Sequence, residues 1–246
     1  MSDAAAAREP QREPTAAELR LARNQQRVEI TNLHPPTRFE RILYGALSGA
    51  LWGLAKLYFR PDIEGGENVP TDRAFILAPV HRSYVDFLLL LGCHRPRMRY
   101  LAKDTLWKEP VGRLWSKLGG IPVARGAADR DALKACITVV SQGEPLVMFP
   151  EGTRQEGPVL EHLFDGPAYV QSRTGAPIIP VGIGGSAEAM PKGAKFPKPR
   201  KVKLVIGPPM EAPRPEGAKA QRSSVKAQTE ALRTEIQRLY DQADGR

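Results

Sequence analysis

The sequence predicts an α/β fold: a mostly parallel central sheet flanked by helices. Three observations point there. From residue 74 onward, short apolar runs alternate with segments whose apolar residues recur at helical spacing. Glycine and proline punctuate the joints between them. Hydrophobic residues make up 41% of 246, enough to pack one large domain or two small ones, and no internal repeat divides them.

The elements follow in order. Residues 1 to about 16 carry Pro10, Pro14 and mixed charges and read as a mobile tail. Residues 17–33 suit a polar helix that ends before Pro35-Pro36. Over 38–59, Leu43, Leu47, Leu51, Leu54 and Tyr58 recur at helical spacing, and Gly45, Gly49 and Gly53 stand four apart. Arg38, Arg41, Lys56 and Arg60 flank them. This pattern fits a helix lying in a membrane interface, with cations on anionic headgroups and the glycine row facing a second helix. It also fits a helix packed on the domain. The uncharged stretch Ile42 to Ala55 is short of the roughly 20 apolar residues a span needs, so no transmembrane helix is expected. No secretory signal pattern precedes it.

Strands are expected at 74–80, 98–102, 121–124, 146–149, 177–183 and 201–206. Helices are expected at 83–91, at 110–118 behind Pro110, and at about 127–142 with Leu133, Cys136, Ile137 and Val140 inward. Pro208, Pro209, Pro213 and Pro215 mark a linker. A last helix, about 223–242, carries Val225, Leu232, Ile236 and Leu239 and should dock on the domain. The expected divisions are a mobile segment 1–37, an interfacial helix 38–62, a main domain 63–210, and a linker with a C-terminal helix 211–246.

The chain holds 36 basic and 27 acidic residues, a net charge of +9 with pI about 9.7. Such a balance suits nucleic acid, an anionic membrane or phosphorylated substrates. Zinc-finger, RNP and clear helix-turn-helix patterns are missing, so no nucleic-acid partner is expected. Cys93 and Cys136 fit neither a zinc pattern nor a disulfide framework, which suits a reducing compartment. His34, His94 and His162 have no metal-ligand spacing around them, and no metal is expected. Gly182 to Ser186 lacks the Gly-Lys-Ser/Thr ending of a P-loop.

Two polar motifs follow apolar strands. In His81-Arg82-Ser83-Tyr84-Val85-Asp86, a regular helix would set His81 and Asp86 about 140° apart. A turn leading into a helix would not. Ser83 suits an N-cap and Asp86, three residues on, completes a capping box. The imidazole can then fold back on the carboxylate, which takes the Nδ1 proton and leaves Nε2 as a base. A plain loop and helix cap would carry the same residues. No Gly-x-Ser-x-Gly elbow supplies an enzyme nucleophile. In Phe149-Pro150-Glu151-Gly152-Thr153-Arg154, the proline breaks a strand and the glycine permits a tight turn. Arg154 offers a planar fork for phosphate oxygens. Glu151 can hold an arginine or a substrate hydroxyl, and Thr153 adds a donor. A turn pairing with surface neighbours is the plainer alternative.

The first motif resembles the His-x4-Asp block of glycerolipid acyltransferases. The second resembles the Phe-Pro-Glu-Gly-Thr-Arg block of 1-acyl-glycerol-3-phosphate acyltransferases, the bacterial PlsC-like family. Gly119-Gly120-Ile121-Pro122-Val123-Ala124-Arg125 and Ala176-Pro177-Ile178-Ile179-Pro180-Val181 are similar to that family's two other blocks. All four stand in the family's order over roughly residues 63–210. Gln155 and Ala124 depart from it. The word from His81 to Phe87 also resembles that of glycerol-3-phosphate and dihydroxyacetone-phosphate acyltransferases.

The resemblance implies transfer of a fatty acyl group from acyl-CoA or acyl carrier protein to a lysophospholipid hydroxyl, without a cofactor. By position, His81 and Asp86 are the catalytic pair. Lys103, Arg125, Glu151, Gly152, Thr153 and Arg154 form the substrate site, with Lys103 either stabilising the thioester oxyanion or standing as a plain surface lysine. Peripheral association with an anionic membrane, on the cytoplasmic face of the cell membrane, is implied as well. The basic loop Lys192, Lys195, Lys198, Arg200, Lys201 would meet headgroups or the donor's phosphates, or is a solvated charge run. Two alternatives stay open: the same chemistry on glycerol-3-phosphate, another lysolipid or a glycolipid, and a non-catalytic module binding anionic lipid.

Overall fold

The computed structural model describes residues 35–93, 97–103, 116, 119–123, 130–213 and 218–246. Its elements are α1 (Arg38–Phe59), β1 (Asp62–Glu64), β2 (Ile76–Pro79), α2 (Asp86–Leu89), β3 (Arg99–Lys103), β4 (Gly120–Val123), α3 (Arg130–Ser141), β5 (Leu146–Val147), α4 (Gly166–Thr174), β6 (Ile178–Gly184), α5 (Ser186–Ala189), β7 (Lys203–Ile206) and α6 (Ala218–Asp244).

The strands form one sheet in the order β1-β7-β6-β2-β5-β3-β4. The five from β6 to β4 run parallel, and β7 turns antiparallel to β6. Parallel strands with helices on their faces must be apolar on both sides. Accordingly every residue of β2 and β6 is buried. Phe75, Ile76, Leu77, Leu146, Ile178, Ile179 and Ile183 are inaccessible to solvent.

The C-terminal helix docks as its stripe predicts, through Leu232, Ile236 and Leu239 with Tyr240. Two glycines in β6 permit the approach. A β-carbon on Gly182 would lie 2.3 Å from the Leu239 backbone, and one on Gly184 2.3 Å from that of Ala243. Gly182 and Gly184 therefore seat the helix.

α1 begins with a capping box, in which Thr37 and Glu40 exchange side-chain and backbone bonds. Its inward face is Tyr44, Ala55 and Phe59, with Trp52 against Gly92. The Tyr44 hydroxyl accepts from the Met98 N–H at 3.3 Å. The leucine stripe runs along the flank of this face. The glycine row does not seat a helix among the described residues, since β-carbons on Gly45, Gly49 and Gly53 would find nothing within 4 Å. By length and composition α1, at 22 residues, is long and apolar enough to cross a bilayer, beyond what its shorter uncharged stretch suggests. Tyr44, Ala55 and Phe59 tie it to the domain, while most of its surface is exposed.

Other differences are local. β1 was not expected, because one apolar residue between Asp62 and Glu64 carries no period. It is held by pairing with β7 and by Lys203 Nζ, 2.8 Å from Glu64. α4 was missed because its sequence is polar overall, although Pro167 opens it and Gly175, at φ 74°, closes it. The helix expected over 83–91 starts at Asp86 and tightens to a 3₁₀ turn over Leu90–Gly92. The helices expected at 17–33 and 110–118 fall outside the described residues, Ser116 apart.

Candidate active site

β2, β5, β3 and β4 are parallel neighbours, so their C-terminal ends share one edge of the sheet, the usual place for a site in such folds. The His81 motif follows β2. The Glu151 motif follows β5. Lys103 ends β3, in register with Val123 of β4. Arg125, two residues beyond, lies outside the described residues.

His81 Nδ1 stands 3.0 Å from Asp86 Oδ2. The same oxygen accepts from the backbone N–H of Arg82 at 2.8 Å and of Ser83 at 2.7 Å. Asp86 is fully buried. An oxygen gathering N–H groups in this way acts as an acceptor, which makes Nδ1 the protonated ring nitrogen and leaves the lone pair on Nε2. The turn works through half of the expected capping box. Asp86 reaches back to the Ser83 N–H, while the Ser83 hydroxyl donates to the Met190 carbonyl at 2.8 Å and accepts the Val85 N–H only at a long 3.4 Å. That corrects the N-cap expectation: α2 begins at Asp86 itself, leaving Ser83 free to tie the turn to the segment after α5. The His81 ring stacks on Phe149, centroids 4.0 Å apart.

Glu151 serves the protein. One oxygen accepts the His81 N–H at 2.7 Å and the other takes the Arg82 guanidinium. Both side chains of this ion pair are 1% exposed. Burial pushes the Glu151 carboxyl up from the ordinary range, against the pull of Arg82. Of the two uses expected for Glu151, the structure shows the arginine contact. Arg82 also donates to the Gly157 and Val159 carbonyls. The Gln155 N–H donates to the His81 carbonyl at 2.9 Å, a second stitch between the motifs.

Arg154 lies over the Tyr84 ring, 3.4 Å from its centroid. Its Nη1 is buried and has no hydrogen-bond partner among the described residues. Stacking fixes the plane of the guanidinium and leaves its N–H edge for an anion. Gly152 adopts φ 69°, and a β-carbon there would come within 2.8 Å of Phe164. Thr153 is exposed, its hydroxyl accepting from Gln155. Tyr84, Arg82 and Phe149 were not singled out from the sequence, although each lies inside a motif. Their contacts join residues too far apart in the chain for a local pattern.

A cleft of about 470 Å³ opens beside Arg82, between Gln155, Lys192, Tyr240 and Arg246. Neither His81 nor Arg154 lines it. No cluster of metal-ligating side chains occurs among the described residues.

A chloroplast 1-acyl-sn-glycerol-3-phosphate acyltransferase of Brassica napus is 30% identical over 151 residues, 59% of this chain and 44% of the relative. The chain thus spans less than half of that protein's length. A 1-acyl-sn-glycerol-3-phosphate acyltransferase of Bacillus subtilis is 28% identical over 208 residues, covering 82% of this chain and 99% of the relative. The crystal structure of the 1-acyl-sn-glycerophosphate acyltransferase PlsC from Thermotoga maritima superposes with a TM-score of 0.63 at 26% identity, over 88% of both chains. The Acyltransferase family model matches residues 60–184, half of the chain with both motifs inside it, and the chain belongs to that family.

Proposed function

We propose that the protein is an O-acyltransferase that moves a fatty acyl group from a thioester donor, acyl-CoA or acyl carrier protein, to the free hydroxyl of 1-acyl-glycerol-3-phosphate. The product is phosphatidic acid. The observation that carries this reading is the 3.0 Å contact between His81 Nδ1 and a buried Asp86 at the C-terminal edge of the sheet.

His81 Nε2 takes the proton of the substrate hydroxyl as its oxygen attacks the thioester carbonyl. The carbonyl electrons move onto oxygen, forming a tetrahedral oxyanion. When they return, the carbon–sulfur bond breaks and the leaving thiolate receives the proton from the imidazolium. Asp86 stays a carboxylate throughout and stabilises the cation formed on His81. The substrate supplies the nucleophile, so no enzyme nucleophile is required. Arg154 holds the acceptor's phosphate through its unpartnered edge. Arg125 as a second phosphate contact and Lys103 at the oxyanion rest on the family resemblance.

The acceptor is a membrane lipid, and α1 offers a way to reach it. Phe39, Ile42, Leu54 and Leu57 on its outer side are 64–82% exposed. We place this side in the headgroup region, with the domain peripheral on the cytoplasmic face.

The test is a matrix of acyl donors against acceptors on purified protein in detergent. Thiol release with lysophosphatidate exceeding that with glycerol-3-phosphate, other lysolipids and glycolipids supports the reading. Preference for another acceptor keeps the chemistry and overturns the substrate. Vesicle binding without turnover anywhere in the matrix makes the protein a lipid-binding module.

A further inference from the structure

Loop 191–201 follows α5 and leads to β7. It carries Lys192, Lys195, Lys198, Arg200 and Lys201 and no acidic residue. In their midst Phe196 is 81% exposed. An aromatic ring this exposed gains little from burial in the fold. The loop is nonetheless fastened: the Lys198 N–H donates to the Ala189 carbonyl at 2.7 Å, and that of Ala194 to Pro191 at 3.0 Å.

Its anchorage links two places that matter. At its start, the Met190 carbonyl accepts the Ser83 hydroxyl, within the turn that carries His81. At its far side it meets α1. The Tyr58 hydroxyl donates to the Pro197 carbonyl at 2.8 Å, and the Val202 N–H to the Phe59 carbonyl at 3.2 Å. Leu54 and Leu51, four and seven residues before Tyr58, lie on the same flank of the helix. The loop therefore continues the exposed apolar side of α1, where Leu54 and Leu57 are 64% and 82% exposed.

We propose that loop 191–201 is a second membrane-docking element, continuous with α1, whose cations bind anionic headgroups while Phe196 enters the interface. This rests on the interfacial reading of α1. The occupant follows from the chemistry. Lys192 is paired with Glu156 at 3.4 Å, but the other four cations call for a negative surface, and an exposed ring continuous with exposed leucines calls for one with apolar depth beneath its charge. An anionic bilayer has both. An acidic protein matches the charge and leaves the ring in water. Fixed to α1 at one end and to the His81 turn at the other, the loop would hold the site mouth at headgroup level.

The experiment is flotation of the full chain with vesicles of phosphatidylcholine, alone or mixed with phosphatidylglycerol. The wild type should prefer the anionic vesicles. Phe196→Ser should weaken binding about tenfold on them, the worth of one buried aromatic side chain. Lys195→Gln/Lys198→Gln/Arg200→Gln should cost about fivefold per cation at low salt, and the loss should shrink at high salt. Both variants should turn over a water-soluble short-chain acceptor at the wild-type rate. Loop variants that bind as the wild type does, while Leu54→Glu releases the protein, overturn the loop's role and leave α1 in place. A wild type that binds no vesicle overturns both, and turnover of the soluble acceptor would still stand apart. Loss of turnover with that acceptor would make the loop a donor contact. Loss of binding to an acyl carrier protein, with vesicle binding intact, would make it a protein-docking site. Either result overturns the proposal.

Discussion

Glu151 holds Arg82 in an ion pair that solvent barely reaches, each side chain 1% exposed. The pair joins the two motifs across 69 positions of sequence, and the other Glu151 oxygen grips the His81 N–H. The backbone of the candidate base is thereby fixed by the motif that carries the candidate anion contact.

Breaking that pair leaves a buried charge without a partner. Arg82→Ala should cost about 3–5 kcal/mol of stability. For a chain of this size the melting temperature should fall on the order of 10 °C. Calorimetry decides it, and an unchanged transition would mean that the pair does not tie the motifs together.

Asp86→Asn keeps the shape and spoils the chemistry. An amide donating to Nδ1 would force the proton onto Nε2, as in the serine-protease triad, where the equivalent change costs about 10⁴ in kcat. A fall of at least 10³ is expected here, with KM for the acceptor little changed and the circular dichroism intact. Activity near wild type would remove Asp86 from the mechanism.

Arg154 and Tyr84 should act as a unit. Arg154→Ala should raise KM for a phosphorylated acceptor by about tenfold or more, in line with the loss of a charge-assisted hydrogen bond. Arg154→Lys should restore little, since an ammonium neither stacks flat nor presents a fork. Tyr84→Leu should shift KM the same way by a smaller factor and leave kcat alone. Equal effects on phosphorylated and unphosphorylated acceptors would contradict an anion contact.

Cys93 gives a pH test. Burial pushes its thiol up to about 12 from 9.0. Across that window the unfolded chain loses the proton and the native one keeps it, so stability falls as pH rises. Cys93→Ala lacks this component. The stability of wild type relative to the variant should therefore be lower at about pH 10 than at about pH 8 by urea unfolding. A native thiol alkylated quickly near neutrality would contradict the burial.

Much of the fold could be read from the chain because buried parallel strands leave apolar runs, as at 74–80 and 177–183. β1 and α4 could not: the first owes its existence to β7, the second to packing of a polar segment on its neighbours. The turn between His81 and Asp86 follows from local spacing, and the structure brings the two within hydrogen-bond reach. The Arg82–Glu151 pair has no such spacing. A buried arginine and an exposed one look alike in sequence, and only the adjacency of β2 and β5 decides between them. For the same reason Tyr84 carries no signal in the sequence, since its stacking under Arg154 is a contact of the fold. The glycine row of α1, four apart, suggests a neighbouring helix, and among the described residues nothing comes within 4 Å of a β-carbon placed on it.

The central claim is that His81 removes the proton from an acceptor hydroxyl. Its most direct test is thiol release from acyl-CoA with lysophosphatidate, comparing wild type with His81→Ala at equal folded concentration. The account predicts a loss of at least about 10³ in kcat, with the melting temperature preserved. Turnover by His81→Ala at the wild-type rate would contradict it.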